Sequence, residues 1–177
     1  WELFGWTFEG AVLYFLENGE EKDPQRIIEL INSQNISKLH FVPSMLNVFL
    51  EFCERENKDS LKSLSIVFSS GEALTKEQVI KFYSIFDNDK PQLINLYGPT
   101  ETAIEVTYFD CSNLDYKSED VPIGEPLDNV EAYVLNDKKQ KCPIGVVGEL
   151  YIGGIQVAQG YINKEDATKK SFVRLPK

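Results

Sequence analysis

The amino-acid sequence predicts an α/β fold: a mostly parallel sheet with flanking helices, flavodoxin-like, followed by a small β-rich, barrel-like unit. Two observations carry the first half. Apolar runs of strand length, LHFVP (39–43), LSIVF (64–68) and QLINLY (92–97), alternate with stretches whose apolar residues recur at helical spacing. That alternation is the signature of right-handed βαβ units and a parallel sheet. A third observation carries the second half. Beyond residue 105 the helical spacing stops, and IEVTYFD, VEAYVLN and VGELYIGG follow one another as strands split by turns and loops.

Taken in order, WELFGWTFE (1–9) has apolar residues at helical spacing, and Gly10 is placed to end that turn. AVLYFL (11–16) has the makings of a buried strand, closed by the polar loop ENGEEK. Asp23-Pro24 is a helix start, with Asp as cap and Pro in the first turn, and Ile27, Leu30 and Ile31 then form one apolar face. SMLNVFLEFCERE (44–56) is an amphipathic helix for which Ser44 is a candidate cap. The LSIVF strand ends at Ser69-Ser70-Gly71. Thr75 with Gln78 fits a capping box, followed by the stripe Val79, Phe82, Tyr83 and Phe86. Asn136-Asp137 and Pro143-Ile144-Gly145 supply turns between the last two strands. The polar stretch SNLDYKSED (112–120) is the linker candidate, which divides the chain into an α/β subdomain over 1–112 and a β-rich subdomain over 113–177.

The 177 residues suffice for one substantial core. A net charge of −10 argues against a nucleic-acid partner, which needs clustered Lys and Arg. No apolar run approaches the ~18 to 20 residues of a membrane span, and the opening residues lack a secretory leader. A cytoplasmic protein with reduced thiols is therefore expected, with Cys53, Cys111 and Cys142 showing no metal-ligand spacing. Met45 is the only methionine and the first residues already look like mid-helix, so a section of a longer protein is expected, with apolar surface at its edges and a tendency to self-associate.

Ligands of open parallel sheets bind beyond the carboxyl ends of the strands. Three strands here end in small or polar residues: VPS (42–44), SSGEA (69–73) and YGPTET (97–102). Gly71 lets backbone groups approach a ligand closely. A hydroxyl beside a carboxylate, as in Thr100-Glu101, suits a phosphate oxygen and the Mg²⁺ that neutralises it. Plainer readings stand beside these. Thr102 and Glu105 fit a capping box by spacing, Gly98-Pro99 is a common turn, Tyr97 suits a core aromatic, and a lone His40 is ordinarily a satisfied core histidine. One histidine finds no triad or second metal ligand by spacing. Composition and spacing leave both sets of readings open.

NLYGPTE (95–101), with VFSSGEAL before it and GELYIGGIQVAQGY after it, resembles the adenylation domains of nonribosomal peptide synthetases, members of the adenylate-forming superfamily. WELFGWTFEGA and VPIGEPLDN are similar to further stretches of that family, so the likeness is collinear from Trp1 to about Val173. The resemblance implies an ATP- and Mg²⁺-dependent ligase that forms an aminoacyl adenylate and passes it to the phosphopantetheine thiol of a carrier domain. Peptidyl carrier and condensation domains are the implied partners. It implies that Gly71, Glu72 and Ala73 run beside the adenine, that Asn95 meets the adenine edge and Tyr97 its face, and that Gly98 belongs to the nucleotide loop. Thr100 would hold the phosphate and Glu101 the Mg²⁺, as the catalytic pair.

The resemblance further implies an amino-acid pocket of Trp1, His40, Phe68, Ser70, Leu96, Ile104 and Glu105. Trp1 and Phe68 would leave room for a small side chain, and His40, Ser70 and Glu105 would hydrogen-bond a hydroxyl. The set resembles serine-activating pockets, with Glu105 where Asp is more usual. Gln159 stands where the family usually has Arg. The resemblance implies that the family's phosphate loop and amino-group Asp lie upstream of Trp1, and its ribose Asp and catalytic Lys beyond Lys177, so the 177-residue chain alone is expected to be inactive. The competing readings are a section of an acyl- or aryl-acid-CoA ligase and a non-catalytic α/β binding module.

Overall fold

The computed structural model describes residues 1–55, 61–86 and 91–174; the last residue of the expected 44–56 helix lies outside them. The apolar pattern of the sequence becomes a five-stranded sheet covered on one face by three helices. Helix α1, Gly5–Glu9, is short and is closed by Gly10 at φ 64°. Helix α2, Pro24–Gln34, begins where expected: Asp23 accepts from the Gln25 N–H at 3.0 Å, and Ile27, Ile28 and Ile31 are buried. Strand β1 is Lys38–Phe41, helix α3 Pro43–Cys53, strand β2 Ile66–Ser69, helix α4 Lys76–Ile85 and strand β3 Gln92–Tyr97. The Thr75–Gln78 capping box is formed in both directions.

Strands β1, β2 and β3 are parallel; β4 (Thr107–Asp110) and β5 (Glu125–Pro126) complete the sheet antiparallel, in sequence order across it. Register fixes the faces, because successive side chains of a strand point to opposite sides. Leu39, Val67 and Leu93 lie in one row on the helix side, where Val67 and Leu93 are buried with Leu46, Phe49, Val79 and Phe82. His40, Phe68 and Ile94 form the next row, on the opposite side. Truncating Phe49 or Phe82, both fully buried, would cost about 3–5 kcal/mol.

The chain departs from the sequence reading at four places. AVLYFL forms no strand; Val12, Tyr14 and Phe15 are exposed, because a strand needs a hydrogen-bonded neighbour and none of the described strands pairs with it. A cavity of about 570 Å³ is lined by residues 10–14, by residues 34–40 and by Trp1, Glu2 and Phe68. Ser44 is not the cap of α3: Pro43 takes the first position, and the Ser44 N–H and hydroxyl instead donate to Glu72 at 3.0 and 3.1 Å. No helix follows Thr102, so the Thr102–Glu105 capping box does not exist; Thr102 ends a 3₁₀ turn and donates to the Pro99 carbonyl at 3.0 Å. The linker stretch is strapped down, with the Lys76 ammonium donating to the carbonyls of Tyr116 and Ser118 and Leu114 buried in the main core. The first sheet thus continues past residue 112, through β5.

The remainder holds a second, small sheet, as the sequence leads one to expect. Strands β6 (Val130–Leu135) and β7 (Glu149–Gly154) pair antiparallel as a two-stranded sheet, and helix α5 (Glu165–Ser171) follows. Cys53, Cys111 and Cys142 form no disulfide bond. No helix among the described residues is long and apolar enough to cross a membrane.

Candidate functional site

Because β1, β2 and β3 run parallel, their carboxyl ends meet at one edge, and the loops after them are neighbours. The loop after β3 turns back so tightly that a Cβ on Gly98 would sit 1.5 Å from the Ile104 carbonyl oxygen. The Val106 N–H then donates to the Tyr97 carbonyl at 2.8 Å. The return path puts Ala103 at φ 53° and Ile104 at φ 82°. A β-branched residue in that region is strained, and such strain is stored where surrounding structure demands it. The demand here is clear: the turn sends Thr100 outward and brings Glu105, five residues later, into the interior.

Five predicted pocket residues converge there. The Trp1 ring stacks on His40 (centroids 5.7 Å, 29° between planes) and meets Phe68 edge-on at 5.1 Å. His40 Nε2 lies 2.7 Å from the Ser70 hydroxyl, and Nδ1 lies 2.9 Å from a Glu2 carboxylate oxygen. Glu105 is buried beside this group, with its Oε1 unpartnered. Burial raises the Glu105 carboxyl above its ordinary range; neighbouring His40 and a hydrogen bond from the Trp1 side chain oppose that rise. Leu96 is buried at the end of β3 in the row beyond Ile94, whereas Ile104 stands exposed, outside the cluster.

The nucleotide-side residues are built differently. Gly71 sits at φ 86° and opens an exposed loop with Glu72 and Ala73, whose Glu72 carboxylate is held by the start of α3. Asn95 points to the helix side, buried, and its amide donates to the Pro122 carbonyl at 2.9 Å. Thr107, not anticipated, donates to the Ile123 carbonyl at 2.7 Å, so the VPIGEP segment is pinned to the sheet by two side chains. Tyr97 and Thr100 are exposed. Glu101 is the exception: the Tyr161 hydroxyl donates to its carboxylate, and the Ala158 N–H donates to its carbonyl at 2.8 Å. The Tyr161 hydrogen bond holds the Glu101 carboxyl below its ordinary range, hence ionised at neutral pH. Tyr161 in turn packs edge-on against Phe172 at 5.4 Å, and its N–H donates to Thr168 at 2.9 Å.

A half-exposed, ionised carboxylate next to an exposed hydroxyl is an oxygen donor set fit for Mg²⁺ shared with phosphate oxygens, which keeps only one or two protein carboxylates. Among the described residues no group of three or more His, Cys, Asp or Glu could hold a metal ion.

Residues 1–162 match the AMP-binding enzyme family. The chain belongs to that family. Zwittermicin A synthase ZmaJ of Bacillus cereus is 42% identical over 176 residues, which cover 98% of this chain and 34% of that protein. Tyrocidine synthase 3 of Brevibacillus parabrevis is 40% identical over 176 residues, 99% of this chain and 3% of that one. The crystal structure of the nonribosomal peptide synthetase FmoA3 in its alpha-methyl-L-serine-AMP bound form shares the fold, with a TM-score of 0.78 at 22% identity over 88% of this chain and 17% of that one. This AMP-binding chain therefore spans about a third or less of the length of these relatives.

Two site residues escaped the sequence reading. Glu2 reaches His40 across 38 residues of sequence, and Tyr161 reaches Glu101 across 60. No periodicity or local spacing marks either partner. The nearest signal was position: Glu2 adjoins Trp1, and Tyr161 ends the glycine-rich stretch GGIQVAQGY.

Proposed function

We propose that this chain is the substrate-pocket section of an adenylation domain that activates an amino acid, serine being favoured, within a larger peptide synthetase. The observation that carries the reading is the convergence of Trp1, His40, Phe68, Ser70 and Glu105 beside the Thr100-Glu101 turn, at one edge of the sheet. In this reading the amino acid's carboxylate oxygen attacks the α-phosphorus of ATP, pyrophosphate leaves, and a carrier-domain phosphopantetheine thiol later takes the aminoacyl group and releases AMP. Bound Mg²⁺ would offset phosphate charge. Thr100 and Glu101 would hold the phosphate and the ion, Gly71 to Ala73 and Asn95 would border the adenine, and Tyr97 would cover its face.

The pocket argues for a small, hydroxylated side chain. Trp1 and Phe68 meet edge-on beside His40 and would narrow the space left there, and the polar groups beside them favour a partner that hydrogen-bonds. A site of that kind rejects an analogue lacking the hydroxyl, because its own buried groups would be left unpaired.

The test is amino-acid-dependent exchange of pyrophosphate into ATP by the intact enzyme. Serine is expected to support the fastest exchange, and the 177-residue chain alone none. Preference for a large apolar amino acid would overturn the serine assignment. Turnover of fatty or aryl acids, with no amino acid accepted, would overturn the amino-acid reading in favour of an acyl- or aryl-acid ligase.

A further inference from the structure

We propose that Glu2 is a positioning residue that fixes the tautomer of His40 and thereby turns Ser70 into a hydrogen-bond acceptor, so that the pocket selects a side chain that donates. The inference rests on the amino-acid-activating reading and adds to it a residue and a direction for the hydrogen bond.

The geometry is a chain of three groups. Glu2 Oε1 lies 2.9 Å from His40 Nδ1, and His40 Nε2 lies 2.7 Å from Ser70 Oγ. An ionised carboxylate only accepts, so Nδ1 must carry the ring proton and donate to Glu2. In the neutral imidazole that leaves Nε2 as a bare lone pair, and the contact to Ser70 forms only if the hydroxyl donates to it. Ser70 has one proton and spends it there. What it presents to a bound molecule is lone pairs alone.

The surroundings hold this direction in place. Trp1 stacked on the imidazole limits rotation of the ring. His40 is largely buried on β1, in register with Phe68 on β2, so its position follows from the sheet. Another polar atom at the cluster, Glu105 Oε1, is also an oxygen that lacks a hydrogen-bond partner among the described residues, and such a buried oxygen is completed by a donor. A substrate hydroxyl donates its one proton to one of these two oxygens, and an amine can serve both; a side chain that only accepts, or alanine, serves neither.

Two measurements decide the proposal. His40 is the single histidine of the chain, so the imidazole nitrogen spectrum of ¹⁵N-histidine-labelled protein reports this ring without assignment. At about pH 8, where an ordinary imidazole is neutral, the wild-type ring is expected to be protonated at Nδ1, and Glu2→Ala to give a mixture of tautomers, with Glu2→Asp closer to wild type. In the intact enzyme, Glu2→Ala is expected to lower the ratio of kcat/KM for serine over alanine about tenfold, the order of one lost hydrogen bond, with Glu2→Asp recovering part of it. A wild-type ring protonated at Nε2 overturns the proposal, as does a tautomer and a serine preference both indifferent to Glu2→Ala. An enzyme that turns over no amino acid, in which the tautomer nevertheless follows Glu2, supports the positioning role and overturns the amino-acid reading instead.

Discussion

Thr100 and Glu105 stand five residues apart on one loop, yet their settings differ in kind. Thr100 and Tyr97 face outward, and beside them the Glu101 carboxylate is engaged by Tyr161 from the glycine-rich stretch. Glu105 is buried against a cluster already knitted together by ring stacking and by the Glu2–His40–Ser70 chain. In the proposed reading, a small side chain would meet a pocket formed before it arrives, since pre-formed groups need no ordering on binding. A nucleotide, long, charged and partly solvated, would meet exposed groups on the turn. The contrast between the two settings is made by the turn at Gly98, which gives one short loop both an exposed and a buried side.

Gly98→Ala is therefore the severest way to break the comparison. The added methyl meets the Ile104 carbonyl at 1.5 Å, and the backbone of the whole loop must move. A loss of stability of about 3 kcal/mol or more is expected in urea unfolding, in line with backbone clashes at buried turns. A midpoint equal to wild type would mean that the loop has room to relax and that its two sides are not rigidly linked.

Glu101→Ala should separate the sides. Pyrophosphate exchange by the intact enzyme is expected to fall about 10²- to 10³-fold, the scale of removing one charge-stabilising group, while the ratio of serine to alanine use stays near wild type. A collapse of that ratio would show that the nucleotide side also shapes the pocket. Tyr161→Phe is the milder version, expected to cost about tenfold in kcat/KM for ATP. Its stability effect carries a sign. The Tyr161 bond depresses the Glu101 carboxyl, so its contribution is present above the ordinary carboxylate range and is lost as pH falls through the lowered value. Wild type and Tyr161→Phe should melt within about 2 °C at neutral pH and converge in acid. A gap that widens in acid would contradict the bond.

These outcomes bear on how much the sequence could disclose. The βαβ order, the Asp23 and Thr75 caps and the Gly10 stop were legible because each depends on local chemistry: a spacing, a cap, a φ value. The resemblance added the pocket residues, and Trp1, His40, Phe68, Ser70 and Glu105 do meet in space. The failures are non-local. AVLYFL has strand composition, but strand formation is decided by a pairing edge elsewhere. Ser44 and Glu72, Glu2 and His40, and Tyr161 and Glu101 are joined by folding, across distances that no window of sequence spans. Glu105 looked like the end of a capping box because spacing cannot see that Ala103 and Ile104 turn left-handed between it and Thr102.

Glu105→Gln tests the inner side by the smallest change. Burial raises the Glu105 carboxyl, so the folded chain holds its proton more tightly than the unfolded one. The sign follows: stability is full below the unfolded carboxylate range and is lost as pH rises through the raised folded value. Gln cannot ionise and escapes that loss while keeping a similar shape. The variant is therefore expected to melt about 2 to 4 °C higher than wild type at neutral pH, the shift of about 1 kcal/mol in a chain of this size, with the gap closing below about pH 4. In the intact enzyme its serine preference should weaken by a few-fold, because the amide offers one acceptor where the carboxylate offered two. If the variant melts lower at neutral pH, then His40 and the Trp1 side chain outweigh burial, and the carboxylate sits in this pocket as a stabilised anion.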